Sequence, residues 1–354
     1  MFPLRLIIFC DRPSASQEVH LFRPLRRLCK TGECILRVQS EQDVTEMAKK
    51  YGNHWVSELV DSFCPQAVIF SRYAGEGVES IIVASTERGV PIVTHLDDFL
   101  LEIPPELGAD KVRHHMHPKR IQALRATLNN ANLLYISTQN LADRIRGEGF
   151  TTPIIVSHLQ SCADPDEIVP PPIHSSETLV MGYQGTRGHF ADLQMIVPAL
   201  LSVLTERPSV KFELFGTIQP PKELLRLGSR LTLVSPANNY SDFLLMLSKS
   251  RWQIGLAPLR PTTFNTYRTF TKWTEYTLAG IPCLASDCPA YRPVIGSEAG
   301  MLVPDGDWKQ SLLAAIDDEA MRLKMITEAQ AELSRSFTLE KQEQQVLAML
   351  RCLT

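Results

Sequence analysis

The chain has 354 residues, enough for two units that each bury a core. Apolar residues make up 44% and charged residues 21%, which excludes a disordered or collagen-like chain. The formal net charge of -3 provides no positive field to draw in a polyanion, so nucleic acid is not an expected partner.

No apolar run reaches the roughly 18 to 20 residues of a membrane span, and Met1 to Cys10 lacks a basic leader followed by a long apolar stretch. A cytoplasmic protein is expected. Eight cysteines (Cys10, Cys29, Cys34, Cys64, Cys162, Cys283, Cys288 and Cys352) are scattered without a C-x-x-C pair, and they read as reduced, mostly structural thiols.

In the first half, apolar runs at 5–9, 67–71, 91–95, 133–137 and 153–157 predict strands, and stretches around 41–61, 76–88, 118–132 and 139–147 predict helices. That alternation predicts a parallel sheet with helical crossovers. The segment from Ser161 to Ser176 contains Asp164-Pro165 and Pro170-Pro171-Pro172, where missing amide hydrogens discourage both helix and sheet. A second alternation follows, with strands near 179–184, 210–215, 230–234, 253–257, 281–285 and 300–303 and helices near 191–206, 240–250 and 268–279. The predicted organisation is a domain over 1–160, a linker over 161–178, a second domain over 179–307 and a helical tail over 308–354 that packs back on the first domain.

Three segments carry candidate chemistry. In Met181 to His189 a glycine-rich turn, Gly185-Thr186-Arg187-Gly188, links an apolar strand to a helix. Backbone amides in such a turn can approach a phosphate, and Arg187 could hold a diphosphate bidentately and offset charge on a leaving group. The turn is neither a G-x-G-x-x-G fingerprint nor a P-loop; a tight connection with a solvent-exposed arginine is the plain alternative. Farther on, Lys272 and Glu275 stand three apart, so on a helix they share a face and offer a cation beside a carboxylate. An ordinary surface ion pair would have the same spacing.

The third segment is His95-Leu96-Asp97-Asp98-Phe99, directly after a predicted strand. At a carboxyl end of an open sheet, Asp97 or Asp98 could orient or deprotonate an acceptor hydroxyl; helix capping is the alternative. His114-His115-Met116-His117 reads as an exposed loop rather than a metal site, because its neighbours supply no regular ligand geometry.

The segment Phe264 to Ala285 reads as loop, helix, glycine stop and buried strand. With Leu256-Ala257-Pro258-Leu259, Ala285-Ser286-Asp287, Tyr291, Gly300 to Pro304 and Tyr183 to Thr186 with His189 and Asp192, it resembles the retaining glycosyltransferases of the large family-four group over most of 180–305. The resemblance implies an α/β fold of two Rossmann-like domains facing a cleft (GT-B type). It also implies a nucleoside-diphosphate sugar as co-substrate, no metal or other cofactor, and transfer with retention. Glu275 would bind ribose hydroxyls, and Arg187, Lys272 and loop amides at Gly185 and Thr186 would bind the diphosphate. Many members carry another Glu eight positions before the ribose-binding one, where this chain has Tyr267; the backbone around Asn265 and Thr266 could substitute, and Tyr240 could line the base pocket.

A glycan or lipid-linked acceptor fits the resemblance, and with it transient peripheral contact with a membrane. An inverting reaction with Asp97 or Asp98 as base, a nucleotide-sugar epimerase and a non-catalytic sugar-nucleotide-binding scaffold are the competing readings.

Overall fold

The computed structural model describes residues 3–11, 15–52, 54–157, 163–171, 178–296 and 298–353. Its twelve strands form two six-stranded sheets. The first contains β1 (Leu4–Cys10), β2 (Cys34–Ser40), β3 (Ala67–Ser71), β4 (Ile92–Leu96), β5 (Leu133–Ile136) and β6 (Ile154–Val156). They are parallel throughout, in the order β2-β1-β3-β4-β5-β6.

Every residue of β3, β4 and β5 is buried, as a parallel sheet covered on both faces requires. Alternation along β1 sends Leu6, Ile8 and Cys10 to one core and Ile7 and Phe9 to the other. The first core takes in Val346, Met349 and Leu350 from the helix Leu339–Arg351; the second takes in Trp55, Val56 and Val60.

The second sheet contains β7 (Val180–Gly185), β8 (Lys211–Gly216), β9 (Leu231–Val234), β10 (Ile254–Ala257), β11 (Cys283–Ser286) and β12 (Met301–Val303). Its order is β12-β11-β10-β7-β8-β9, again all parallel. Strand order reverses between β7 and β10, and in the first sheet between β1 and β3. Ligands of open α/β sheets bind outside the carboxyl ends of the strands at such switch points.

The helix Phe190–Glu206 and its preceding turn are long and apolar enough to meet the size of a membrane span. Its Leu193, Ile196, Val197, Leu200 and Leu204 are buried in the core against β7 and β8.

The chain divides into two compact units, one of 1–103, 110–160 and 339–354 and the other of 104–109 and 161–338. The tail expected over 308–354 is thus shared: helices Trp308–Asp317 and Glu319–Ser336 belong to the second unit, and Leu339–Arg351 to the first. The described part of the expected linker, 163–171, is also structured. Val169 donates its amide to the Leu278 carbonyl, Ala163 donates to that of Phe337, and Pro165–Glu167 forms a 3-10 turn. Seven cysteines are unbonded thiols; Cys162 lies outside the described residues.

Candidate functional site

In the second unit, β7 ends at Gly185 and the chain passes through a 3-10 turn, Arg187–His189, into the helix Phe190–Glu206. Gly185 is buried, while Thr186 and Arg187 are exposed. Among the described residues no hydrogen bond or ion pair engages the Arg187 guanidinium. The turn is held by Asp192 in the first turn of the helix. Its Oδ1 accepts from the Arg260 amide and from Asn265 Nδ2, both at 3.0 Å, and its Oδ2 lies 3.3 Å from His189 Nδ1. Asp192 thereby ties the connection after β7 to the loop after β10, the two strands of the switch point.

The helix Thr271–Leu278 lies next to that switch point, and both Lys272 and Glu275 are buried on it. A surface ion pair is therefore excluded. Each reaches Gln184 instead: Lys272 Nζ donates to the Gln184 carbonyl oxygen, and Gln184 Nε2 donates to Glu275 Oε2, both at 2.7 Å. Tyr276 of the same helix donates its hydroxyl to the Leu256 carbonyl at 2.9 Å and accepts the Gln184 amide at 3.3 Å. One partly exposed residue near the end of β7 so contacts three residues of the helix, Lys272, Glu275 and Tyr276.

Burial shifts both charged groups. It lowers the Lys272 ammonium, an effect only partly offset by the carboxylates of Glu275 and Asp192. It raises the Glu275 carboxyl, against the opposing pull of Lys272 and the Tyr240 hydroxyl. Burial, helped by Lys272, also keeps His189 neutral down to about 4. The site is thus a desolvated cation and carboxylate beside an exposed arginine and a glycine-rich turn. An anionic ligand would find three sources of positive or donor character there.

Asn265 and Thr266 lie in a 3-10 turn, Phe264–Tyr267. The Asn265 amide also donates to the Arg260 carbonyl at 3.0 Å, and Thr266 Oγ1 donates to the Thr263 carbonyl at 2.6 Å. Their side chains thus shape the loop. Tyr267 is buried edge-on against Phe264 at 6.2 Å, so an aromatic packing residue stands where the resembling family has its additional Glu. Tyr240 opens the helix Tyr240–Lys249, capped by Asn239.

In the first unit, Asp97 and Asp98 follow β4 and are buried. Neither caps a helix; both engage Arg72, whose Nη1 donates to Asp97 Oδ1 at 2.5 Å and Asp98 Oδ2 at 3.3 Å. Burial alone would raise the Asp97 carboxyl, but the Arg72 charge, with His20 and His95, holds it well below the usual carboxylate range. His114 and His115 close a helix, Ala109–His115, rather than lying in an exposed loop: His115 is buried, and Met116 Sδ accepts the Ile103 amide at 3.3 Å. Among the described residues no cluster of three or more His, Cys, Asp or Glu side chains has the arrangement of a metal site.

No protein-family model matches the chain, and no curated protein matches it. Among solved structures, it is similar to the Anabaena HepE protein in complex with UDP, at 14% identity over 99% of this chain and 100% of that one, with a TM-score of 0.68. A glycosyltransferase from Rickettsia africae aligns at 10% identity over 99% and 98%, with a TM-score of 0.71. A UDP-GlcNAc 2-epimerase from Neisseria meningitidis bound to UDP-GlcNAc aligns at 14% over 98% and 99%, with a TM-score of 0.54. The chain has the GT-B fold.

Of the residues singled out from sequence, Gly185, Lys272, Glu275 and Tyr240 gather in this GT-B chain around Gln184, with Thr186 and Arg187 on the adjoining turn. Asp97 and Asp98 belong to the other unit. Sequence reasoning missed the structural work of Gln184, which stood only as the last residue of the predicted strand over 179–184. It also missed Arg72, a lone arginine 25 residues before its partner, for which no spacing rule exists.

Proposed function

We propose that this chain is a glycosyltransferase that moves a sugar from a nucleoside-diphosphate sugar to a hydroxyl of a glycan, lipid-linked or small acceptor. The observation that carries the reading is the contact of buried Lys272 and Glu275 with Gln184 at the switch point of the second sheet. In this reading Glu275 accepts from the ribose hydroxyls, and Lys272, Arg187 and the amides of the turn after Gly185 meet the diphosphate. The HepE structure contains UDP, which makes UDP the first nucleotide to test. The cationic side chains answer the phosphate charge, so no metal or other cofactor is called for; turnover unchanged by EDTA is the check.

The reading extends to retention of configuration, with the leaving phosphate helping to accept the acceptor proton. A carboxylate held far below its usual range is a weak base, so the Arg72 contact with Asp97 supports retention over inversion by an Asp97 base. The epimerase neighbour supplies the competing reading, and product analysis with donor but no acceptor separates the two: an epimerised nucleotide sugar would replace the transferase assignment.

The deciding experiment is thermal unfolding with UDP, GDP, CDP and ADP, for the wild type and Glu275→Ala. Selective binding to the native state at a hundred times Kd adds about 2.7 kcal/mol. A rise with one diphosphate, abolished in Glu275→Ala, is the expected outcome. No rise with any of the four at millimolar concentration would overturn the reading.

A further inference from the structure

Arg72 stands in a backbone conformation that its residue type avoids. It directly follows β3 and has a φ of 56°, the left-handed region where a Cβ is crowded and glycine is the usual occupant. The turn is held by the Arg72 amide, which donates to the His95 carbonyl at 3.0 Å. Strained non-glycine residues persist where the surroundings over-determine them, and they concentrate at functional sites.

The register of the first sheet shows what the turn brings together. Cys10 is level with Ser71, and Ser71 with His95, so Asp11, Arg72 and Asp97 emerge just beyond the carboxyl ends of β1, β3 and β4. The β1–β3 boundary is the switch point of that sheet. There Arg72 Nη1 touches Asp97 and Asp98, and its Nε lies 3.7 Å from Asp11 Oδ2. All but Asp11 are buried.

Three carboxylates from two connections converge on the one guanidinium. Beneath them lies His20, on a one-turn π-helix, Glu18–Phe22, with its ring 5.4 Å from that of His95. Among the described residues neither ring nitrogen of His20 has a hydrogen-bond partner. π-turns recur at functional sites.

We infer that Arg72 is a positioning residue, which orients the Asp97 and Asp98 carboxylates as acceptors for hydroxyls of the acceptor substrate. The inference rests on the transferase reading and adds to it the groups that recognise the acceptor. Arg72, His20 and His95 face Asp97, while Asp98, Asp11 from the end of β1 and His115 from the helix Ala109–His115 face Arg72. Without the guanidinium, burial is opposed by His20 and His95 alone, and the Asp97 carboxyl shifts upward.

The test measures acceptor KM and kcat from pH 5 to 9 at saturating donor, for the wild type, Arg72→Lys and Arg72→Met. In Arg72→Met the acceptor KM should rise at least about tenfold toward pH 5, the loss of ionised form reached when a carboxyl pKa stands about one unit above the pH. It should recover toward pH 9, with donor KM unchanged. Arg72→Lys keeps the charge and should restore most of the acid limb. An acceptor KM unchanged, or raised equally at every pH, would overturn the inference and leave Arg72 a role in folding alone.

If Arg72→Met fails to fold, carbon-detected titration of the wild-type aspartate carboxyls, with Asp97→Asn identifying the resonance, decides instead. An Asp97 that titrates in the ordinary range overturns the inference, and one far below it that stays low in Arg72→Lys supports it. A missing thermal response to every nucleotide is a failure of the transferase reading and is seen separately from the carboxyl titration.

Discussion

Gln184 shows how much can depend on one side chain and its own backbone. Its carbonyl answers a buried ammonium and its amide a buried carboxylate, so removing the side chain leaves the buried Glu275 short of a donor. Gln184→Leu should destabilise the protein by about 1–3 kcal/mol, read from urea unfolding at pH 7.

The protonation of Glu275 gives a second, signed expectation. Its pKa rises from 4.5 to about 7 on folding, so the stability it contributes is complete below 4.5 and is lost as pH rises through 7. Glu275→Gln cannot lose it. The variant should therefore gain on the wild type between pH 5 and 8, by no more than about 3 kcal/mol, in paired unfolding curves. The helical spacing of Lys272 and Glu275 was legible from sequence; their burial was not, because it depends on how the helix meets β7 and β10. Arg72 was illegible for a related reason, since its partner comes from another strand.

At the scale of elements, close approach explains where glycine is needed. A Cβ on Gly182 of β7 would lie 1.8 Å from the Trp252 ring. That ring packs edge-on against Tyr276 at 6.1 Å, and its Nε1 donates to Glu213 Oε2 at 2.7 Å, so it cannot step aside. Gly182→Ala should cost about 3 kcal/mol or more, measured by urea unfolding. Gly280 works differently. With φ of 74° it ends the helix Thr271–Leu278, and the carbonyls of Val169 and Pro170 come within 2.9 Å of where its Cβ would stand, which seats the expected linker against that helix.

The strands of the second unit were readable as short apolar runs closed by turn residues, even the half-exposed edge strand β9. β2 was not, because Arg37, Gln39 and Ser40 interrupt its apolar residues. The predicted helix over 41–61 became two, Glu41–Tyr51 and Trp55–Phe63. A capping box between Ser40 and Asp43 starts the first of them, and Gly52 at φ 67° ends it.

At the scale of the molecule, the two sheets were legible and their ownership of the last helices was not, since both units offer apolar faces to the same amphipathic pattern. Val346, Met349 and Leu350 are buried in the first core, and Gln345 Nε2 donates to Tyr135 Oη at 2.7 Å and Ser157 Oγ at 2.8 Å. At about 1.5–3 kcal/mol for each buried apolar side chain, losing this helix removes an amount comparable to the net stability of a domain, about 5–15 kcal/mol. A chain ended at Thr338 should show early amide exchange across β1, β3 and β5, while the nucleotide-induced thermal shift of the second unit persists. Equal loss in both units would contradict this division.

That helix also sets an order of events during synthesis. The six strands of the first sheet leave the ribosome by Val156, yet the helix that covers their core is translated only after all of the second unit. At about 5–20 residues per second, the nascent first unit waits on the order of ten to forty seconds with that apolar face uncovered. During that interval it is a natural client for a chaperone, and the second unit, although later in the message, is the first able to finish folding.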